Sequence, residues 1–234
     1  MSATNGTGAQ FNNADGTYLL FGTGTLNGGD AGIDILNGSS GTFNFGQNLV
    51  STWSITSPTG TAFSIDSSTA NVIYSGNITQ ANNAAAVDIN VHSGGTVTFT
   101  TGSGGAGTIS ATNGTGLQFS NADGSYSFNG TATLNGGDAG IDIDTGSSGT
   151  FSFNSNTSIT NPSGDSFLLS SSDANVTYSG SITDSSGKAV NIDNHGDRRN
   201  QLDGLHRAAA EHPRGNRSAR ARRIRAFPSP PARV

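Results

Sequence analysis

"TFSFNSNTSITNPSGDSFLLSSSDANVTYSG" runs from Thr150 to Gly180. Within it Phe151 and Phe153 stand two apart, Ile159 stands alone, Phe167 and Leu169 again stand two apart, and Val176 with Tyr178 begins the pattern afresh. Apolar residues at every second position, separated by Ser, Thr, Asn or Asp, mark short strands buried on one face. The Asn-Pro-Ser-Gly-Asp and Ser-Ser-Asp-Ala-Asn runs between them are turn chemistry. One such unit, 25 residues from Phe151 to Val176, therefore predicts three short strands and three corners.

Outward from this stretch the unit recurs. Opening pairs fall at Tyr18/Leu20, Phe43/Phe45, Val72/Tyr74, Val97/Phe99, Tyr126/Phe128, Phe151/Phe153 and Val176/Tyr178, spaced 25, 29, 25, 29, 25 and 25 residues. A single apolar residue follows each (Leu26, Ile55, Ile78, Ile109, Leu134, Ile159, Ile182), and a closing pair such as Ile33/Ile35 or Val87/Ile89 completes the unit. A longer repeat contains four of these: "SATNGTGAQFNNADGTY" at Ser2 returns as "SATNGTGLQFSNADGSY" at Ser110, and "TLNGGDAGIDI" at Thr25 returns at Thr133, each displaced by 108.

Self-similarity at this period signals a solenoid. The expected fold is all-β, a right-handed parallel β-helix of about seven coils of ~25–29 residues, because parallel crossovers are overwhelmingly right-handed. It spans residues 1–195, as repeat 1 (2–109) and a truncated repeat 2 (110–195). Two tandem β-sandwich repeats are the alternative; ~100 residues suits that class, but it gives no reason for the fourfold subdivision. The second inward position reads Leu20, Phe45, Tyr74, Phe99, Phe128, Phe153, Tyr178, which predicts an internal ladder of ring on ring. Pro58 and Pro162 mark a corner, where no ladder N–H is needed.

Composition changes abruptly after His195. Before residue 196 one lysine, Lys188, faces thirteen aspartates, a net of −12; after it ten arginines face three acids, a net of +7. The 196–234 segment, rich in Arg, Pro and Ala, reads as a disordered tail. Back-translation of "GDRRNQLDGLHR" one nucleotide later permits a strand start like the "GGTVTFTTG" of the first copy, so a frameshift is the economical explanation. "RSARARRIR" at Arg217 suggests a nucleic-acid arm, but no aromatic flanks it and the −12 body repels phosphate, so no nucleic acid is expected. Met1 stands in the place of Ile109, so the chain is expected to begin in mid-coil, without an export signal. No apolar run approaches the ~18 residues of a membrane span. There is no cysteine to build a disulfide or thiolate site.

Chemistry-bearing motifs are sparse. "NGGDAGIDI" is like a calcium-binding β-roll nonapeptide, with its second glycine and aspartate one place late; Asp30, Asp34, Asp138, Asp142 and Asp144 are the weak calcium candidates. No catalytic residue and no cofactor are implied. A polysaccharide lyase or glycosidase would need a carboxylate pair or a metal-assisted base. Asp34 and Asp142 are mere copies of one another, and His92 and His195 occupy equivalent turn positions with no evident partner. The Asn77-Ile78-Thr79 sequon is expected by chance at this composition.

With "GTFSFNSNTSITNPSG", "ANVTYSGSIT" and "GGTVTFTTG" in view, the chain resembles the large bacterial β-strand-repeat surface proteins, including autotransporter passengers and haemagglutinin-like adhesins. The resemblance covers Ser2 to about His195 and rests on repeat style. It implies a non-enzymatic, structural or adhesive segment of an extracellular or outer-surface protein, a fragment of a longer parent, whose contacts would be glycans or host surfaces. The alternative is a piece of a polysaccharide-acting β-helix enzyme.

Overall fold

The computed structural model describes residues 1–30, 32–47, 52–101, 107–138 and 140–196. The expectations of a disordered tail and a frameshift concern a segment that, from residue 197 onward, lies outside the described residues.

Among the described residues twenty-three strands, numbered along the chain, form three sheets. Sheet A holds β1 (Ser2–Thr4), β4 (Thr23–Asn27), β7 (Thr52–Thr56), β10 (Asn77–Gln80), β13 (Thr108–Ala111), β16 (Thr131–Asn135), β19 (Thr157–Thr160) and β22 (Ser181–Thr183). Sheet B holds β2 (Ala9–Asn12), β5 (Ile33–Leu36), β8 (Phe63–Ser68), β11 (Ala85–His92), β14 (Gly116–Ala122), β17 (Ile141–Asp144), β20 (Phe167–Ser170) and β23 (Asn191–Asp193). Sheet C holds β3 (Thr17–Leu20), β6 (Thr42–Phe45), β9 (Asn71–Tyr74), β12 (Thr96–Phe99), β15 (Ser125–Phe128), β18 (Thr150–Phe153) and β21 (Asn175–Tyr178).

Each strand pairs in parallel with the strand three further along the chain, so three strands make one turn and the turns stack. This is a three-sided parallel β-helix of about seven coils. It rules out tandem sandwiches, which pair antiparallel neighbours through hairpins. The predicted opening and closing pairs stack in register, Phe45 on Tyr74, Tyr74 on Phe99, Ile35 on Ile65, Ile65 on Ile89, except Val190, which precedes β23.

Sheet A departs from the sequence alignment. Leu26 pairs with Ile55, Ile55 with Ile78 and Ile78 with Ile109, but Ile109 then pairs with Ala132, while Leu134 lies opposite Ala111. The strands of this sheet between its two end strands carry two inward residues each, Ile109 and Ala111 in β13, Ile78 and Gln80 in β10, so the bulky residue changes place within the strand. Four strand steps advance 106 residues in sheet A, from Leu26 to Ala132, against the 108 of the sequence repeat.

The ring ladder is half what was expected. Phe99, Phe128 and Phe153 stack face to face at 4.9 Å, as do Tyr126 and Phe151 at 4.6 Å. Phe45–Tyr74 and Tyr74–Phe99 are instead tilted at 6.2 and 6.1 Å. Sheet B adds edge-on partners to both stretches: Phe63 meets Phe45, Tyr74 and Phe99, and Phe119 meets Phe128, Phe151 and Phe153.

Corners explain the polar composition. At the turn from sheet B to sheet C every coil places one residue in the left-handed region: Asn13, Asn37, Ser67, Val91, Asn121, Thr145, Ser171 and Asn194, with φ between 47° and 54°. Asn tolerates that region best, which accounts for its recurrence there. Between coils, Asx oxygens accept both the N–H and the hydroxyl of a Ser or Thr one turn on: Asp15 from Ser40, Asn71 from Thr96, Asp123 from Ser148, Asn161 from Ser185. Such clamps satisfy corner backbone groups that no ladder reaches. Pro58 and Pro162 sit outside the strands, as expected.

Candidate functional site

The aspartates singled out in the sequence belong to the outward face of sheet B and the corner beside it. Alternation points Ile33 and Ile35 inward, so Asp34 between them faces out, and parallel pairing stacks Gln10, Asp34, Ser64, Asp88, Gln118 and Asp142 in one line. A second line two residues on contains Asp66, Asn90, Ser120 and Asp144. Like charges share a half-buried surface, with a predictable electrostatic result. Burial pushes the Asp34 carboxyl up to about 6, helped by repulsion from Asp30. Burial also raises Asp142 to about 6; the Gln118 side chain opposes the shift while Asp144, Asp138 and Asp165 reinforce it. Asp88 is raised for the same reasons, burial first and then Asp66 and Asp144.

These carboxylates do not converge. Asp34, Asp88 and Asp142 are two strands apart, about 9.6 Å at ~4.8 Å per strand. Among the described residues no group of three or more His, Cys, Asp or Glu is placed to hold a metal ion. Asp30 and Asp34 thus lie in one coil and Asp138, Asp142 and Asp144 in another four coils away, on the outward face of sheet B and the corner beside it, instead of forming one coordination shell.

The two histidines are not partnerless, which corrects the sequence reading. His92 is fully buried at the B-to-C corner, its Nε2 3.1 Å from the Ala70 carbonyl oxygen and its Nδ1 2.8 Å from the Tyr126 hydroxyl. A carbonyl only accepts, so Nε2 carries the proton and Nδ1 accepts from Tyr126, whose oxygen accepts in turn from the Gly124 N–H. Burial lowers the His92 pKa, so the ring is neutral at pH 7. His195 has its Nδ1 3.2 Å from the Ser172 hydroxyl. Ser39, Ser68, Ser147 and Ser172 fill the same corner in other coils, buried and bonded to backbone or to His195. This seam is structural. So is Asn77, whose Oδ1 accepts from the Gly107 N–H and from both the N–H and hydroxyl of Thr108.

An open groove of about 790 Å³ crosses the corner between sheets A and B, lined by residues that include Asn83, Asn113, Asp138, Asn161, Ser163 and Ser186. Among the described residues Asp138 is the only carboxylate lining it. The raised carboxylates Asp34, Asp88 and Asp142 lie elsewhere, on the flat of sheet B. Sequence reasoning missed this groove; the available signal was the recurrence of Asn-Gly, Pro-Thr-Gly and Pro-Ser-Gly at one corner of successive units.

No helix among the described residues is long and apolar enough to cross a membrane. Comparison with family models, with curated proteins and with solved structures returns no match.

Proposed function

We propose that residues 1–196 are a non-enzymatic repeat segment of a bacterial cell-surface or secreted protein, structural or adhesive in role, that contacts glycans or host surfaces. The observation that carries this reading is the groove over the A-to-B corner, with amide and hydroxyl side chains presented by successive coils. Such groups hydrogen-bond to sugar hydroxyls without chemistry. No aromatic ring is among its lining residues, so each contact is weak and useful affinity comes from repetition along the stack. A solenoid suits this role because its stability accumulates from neighbouring coils and no cofactor is required.

The enzyme alternative draws on one observation, that Asp34 and Asp142 are raised to about 6, near the range of a general acid. Hydrolytic pairs stand about 5–9.5 Å apart across a bound sugar. Here the raised groups repeat along a flat face away from the groove, an arrangement that favours a repeated surface over a single reacting centre.

An oligosaccharide array probed with the full chain, alongside the Asn83→Ala/Asn113→Ala variant, tests the proposal. Binding that falls in the variant, with no turnover of any bound polysaccharide, is expected. Turnover that disappears in Asp142→Asn would establish the enzyme reading instead.

A further inference from the structure

Internal repetition displays both halves of one interface. In the interior, β13 and β14 lie on β10 and β11, with Ile109 on Ile78 and Phe119 on Ile89. The strands that repeat β10 and β11 are β22 and β23, the last of sheets A and B. Those that repeat β13 and β14 are β1 and β2, the first of the same sheets. Their residues correspond: Ser2-Ala3-Thr4 matches Ser110-Ala111-Thr112, Gln10-Phe11 matches Gln118-Phe119, and Ile182 and Ile192 take the places of Ile78 and Ile89.

We propose that β22 and β23 of one copy of this chain receive β1 and β2 of a second copy, head to tail, reproducing the internal junction. Ile182 then meets Met1 and Ile192 meets Phe11, as Ile78 meets Ile109 and Ile89 meets Phe119. His195 and Tyr18 correspond to His92 and Tyr126, so in the junction the Tyr18 hydroxyl replaces Ser172 as partner of the His195 Nδ1.

Both faces carry the matching deficits. Val190 and Ile192 are 53% and 62% exposed at one end, Met1 59% at the other. A cavity of about 220 Å³ opens on the core at the β21–β23 end, lined by Phe167, Leu169, Tyr178, Ile182 and Ile192 among others. At the β1–β3 end the N–H groups of Ala9 and Asn13 bond to the adjoining coil, so alternation turns those of Gln10 and Asn12 to the open edge. Sheet C falls one strand short at such a joint, since β21 is its last strand while sheets A and B continue to β22 and β23. The contact joins unlike faces by translation along the stack, which gives an open filament and no closed ring. It goes beyond the surface reading and holds with or without a ligand on the outer faces.

Two variants of the full 234-residue chain test it. Gln10→Pro removes an open-edge donor from one face only, and Ile192→Lys puts a charge into the other. Sedimentation velocity of the wild type over a hundredfold concentration range should show stepwise growth in mass. Each variant alone should stay monomeric with an unchanged circular dichroism spectrum and melting temperature, and an equimolar mixture should form a one-to-one dimer and stop, since one good face of each kind remains. Tyr18→Phe, which keeps the ring, should weaken association about tenfold. A wild type monomeric throughout, a variant that still self-associates, or a mixture that gives no dimer would each overturn the proposal.

Discussion

The two copies of the long repeat solve one packing problem differently. In the first, Trp53 in β7 points inward between Gly24 of the preceding coil and Gly76 of the following one, and its indole N–H donates to the Leu20 carbonyl. A Cβ on Gly24 would fall within the indole ring, so that glycine is obligatory. In the second copy the same places hold Thr157, Ala132 and Gly180, and Phe128 replaces Leu20. The ring has moved from sheet A to sheet C. What is conserved between copies is the filling of a column across three coils, not the residue at any one position.

That contrast can be broken most severely by emptying the first column. Trp53→Ala should lower unfolding stability by about 4 kcal/mol in denaturant titration, the usual cost of deleting a buried indole, and Thr157→Ala at the matching place should cost far less. A transplant sharpens it. Thr157→Trp alone should destabilise by about 2 kcal/mol through overpacking, whereas adding Ala132→Gly and Phe128→Leu should recover most of the loss; additive effects would show that the columns are not coupled.

A smaller effect has the opposite sign. The Thr157 hydroxyl is fully buried without a hydrogen-bond partner, a cost the tryptophan copy avoids by bonding Leu20. Thr157→Val keeps the shape and should stabilise the chain by about 1 kcal/mol, measured as a raised denaturation midpoint at constant slope.

The smallest effect separates sheet B from the B-to-C corner. Asp34 and Asp142 have raised pKa values in the folded state, so between about pH 6 and 4 the native chain holds more protons than the unfolded one and stability rises as pH falls. Half-exposure keeps each contribution under about 1 kcal/mol. His92 works against them: its folded pKa is lowered, so its contribution is complete above pH ~6.5 and is lost as pH falls below it. Melting curves from pH 7 to 4.5 should therefore rise more steeply in His92→Gln than in the wild type, and flatten in Asp34→Asn/Asp142→Asn.

Much of this was legible in the amino-acid order. Tyr18/Leu20, Ile33/Ile35 and their successors announce strands in sheets C and B because their inward residues are nearly all apolar, and stacking in register follows from equal spacing. Sheet A was harder, since Gly24, Gln80, Ala132 and Thr157 occupy inward places with small or polar side chains that alternation does not flag. Trp53, two residues before Ile55, did carry the signal. The bond from His92 to Tyr126 spans 34 residues and depends on corner geometry, so no local pattern reveals it. Of the site, the aspartate positions could be read but not their dispersal, because separation across a face is set by the ladder and not by distance along the chain.

The two-residue slip in sheet A makes the molecule a vernier. Sheets B and C bring equivalent residues back into line after every four coils, while sheet A brings back residues two places out, a lateral step of about 6.6 Å at ~3.3 Å per residue. A rigid partner with binding points spaced at that four-coil interval keeps step on two sides of the prism. On the third it loses its footing after a single interval, so recognition that repeats every four coils finds equivalent residues on sheets B and C and not on the strands of sheet A.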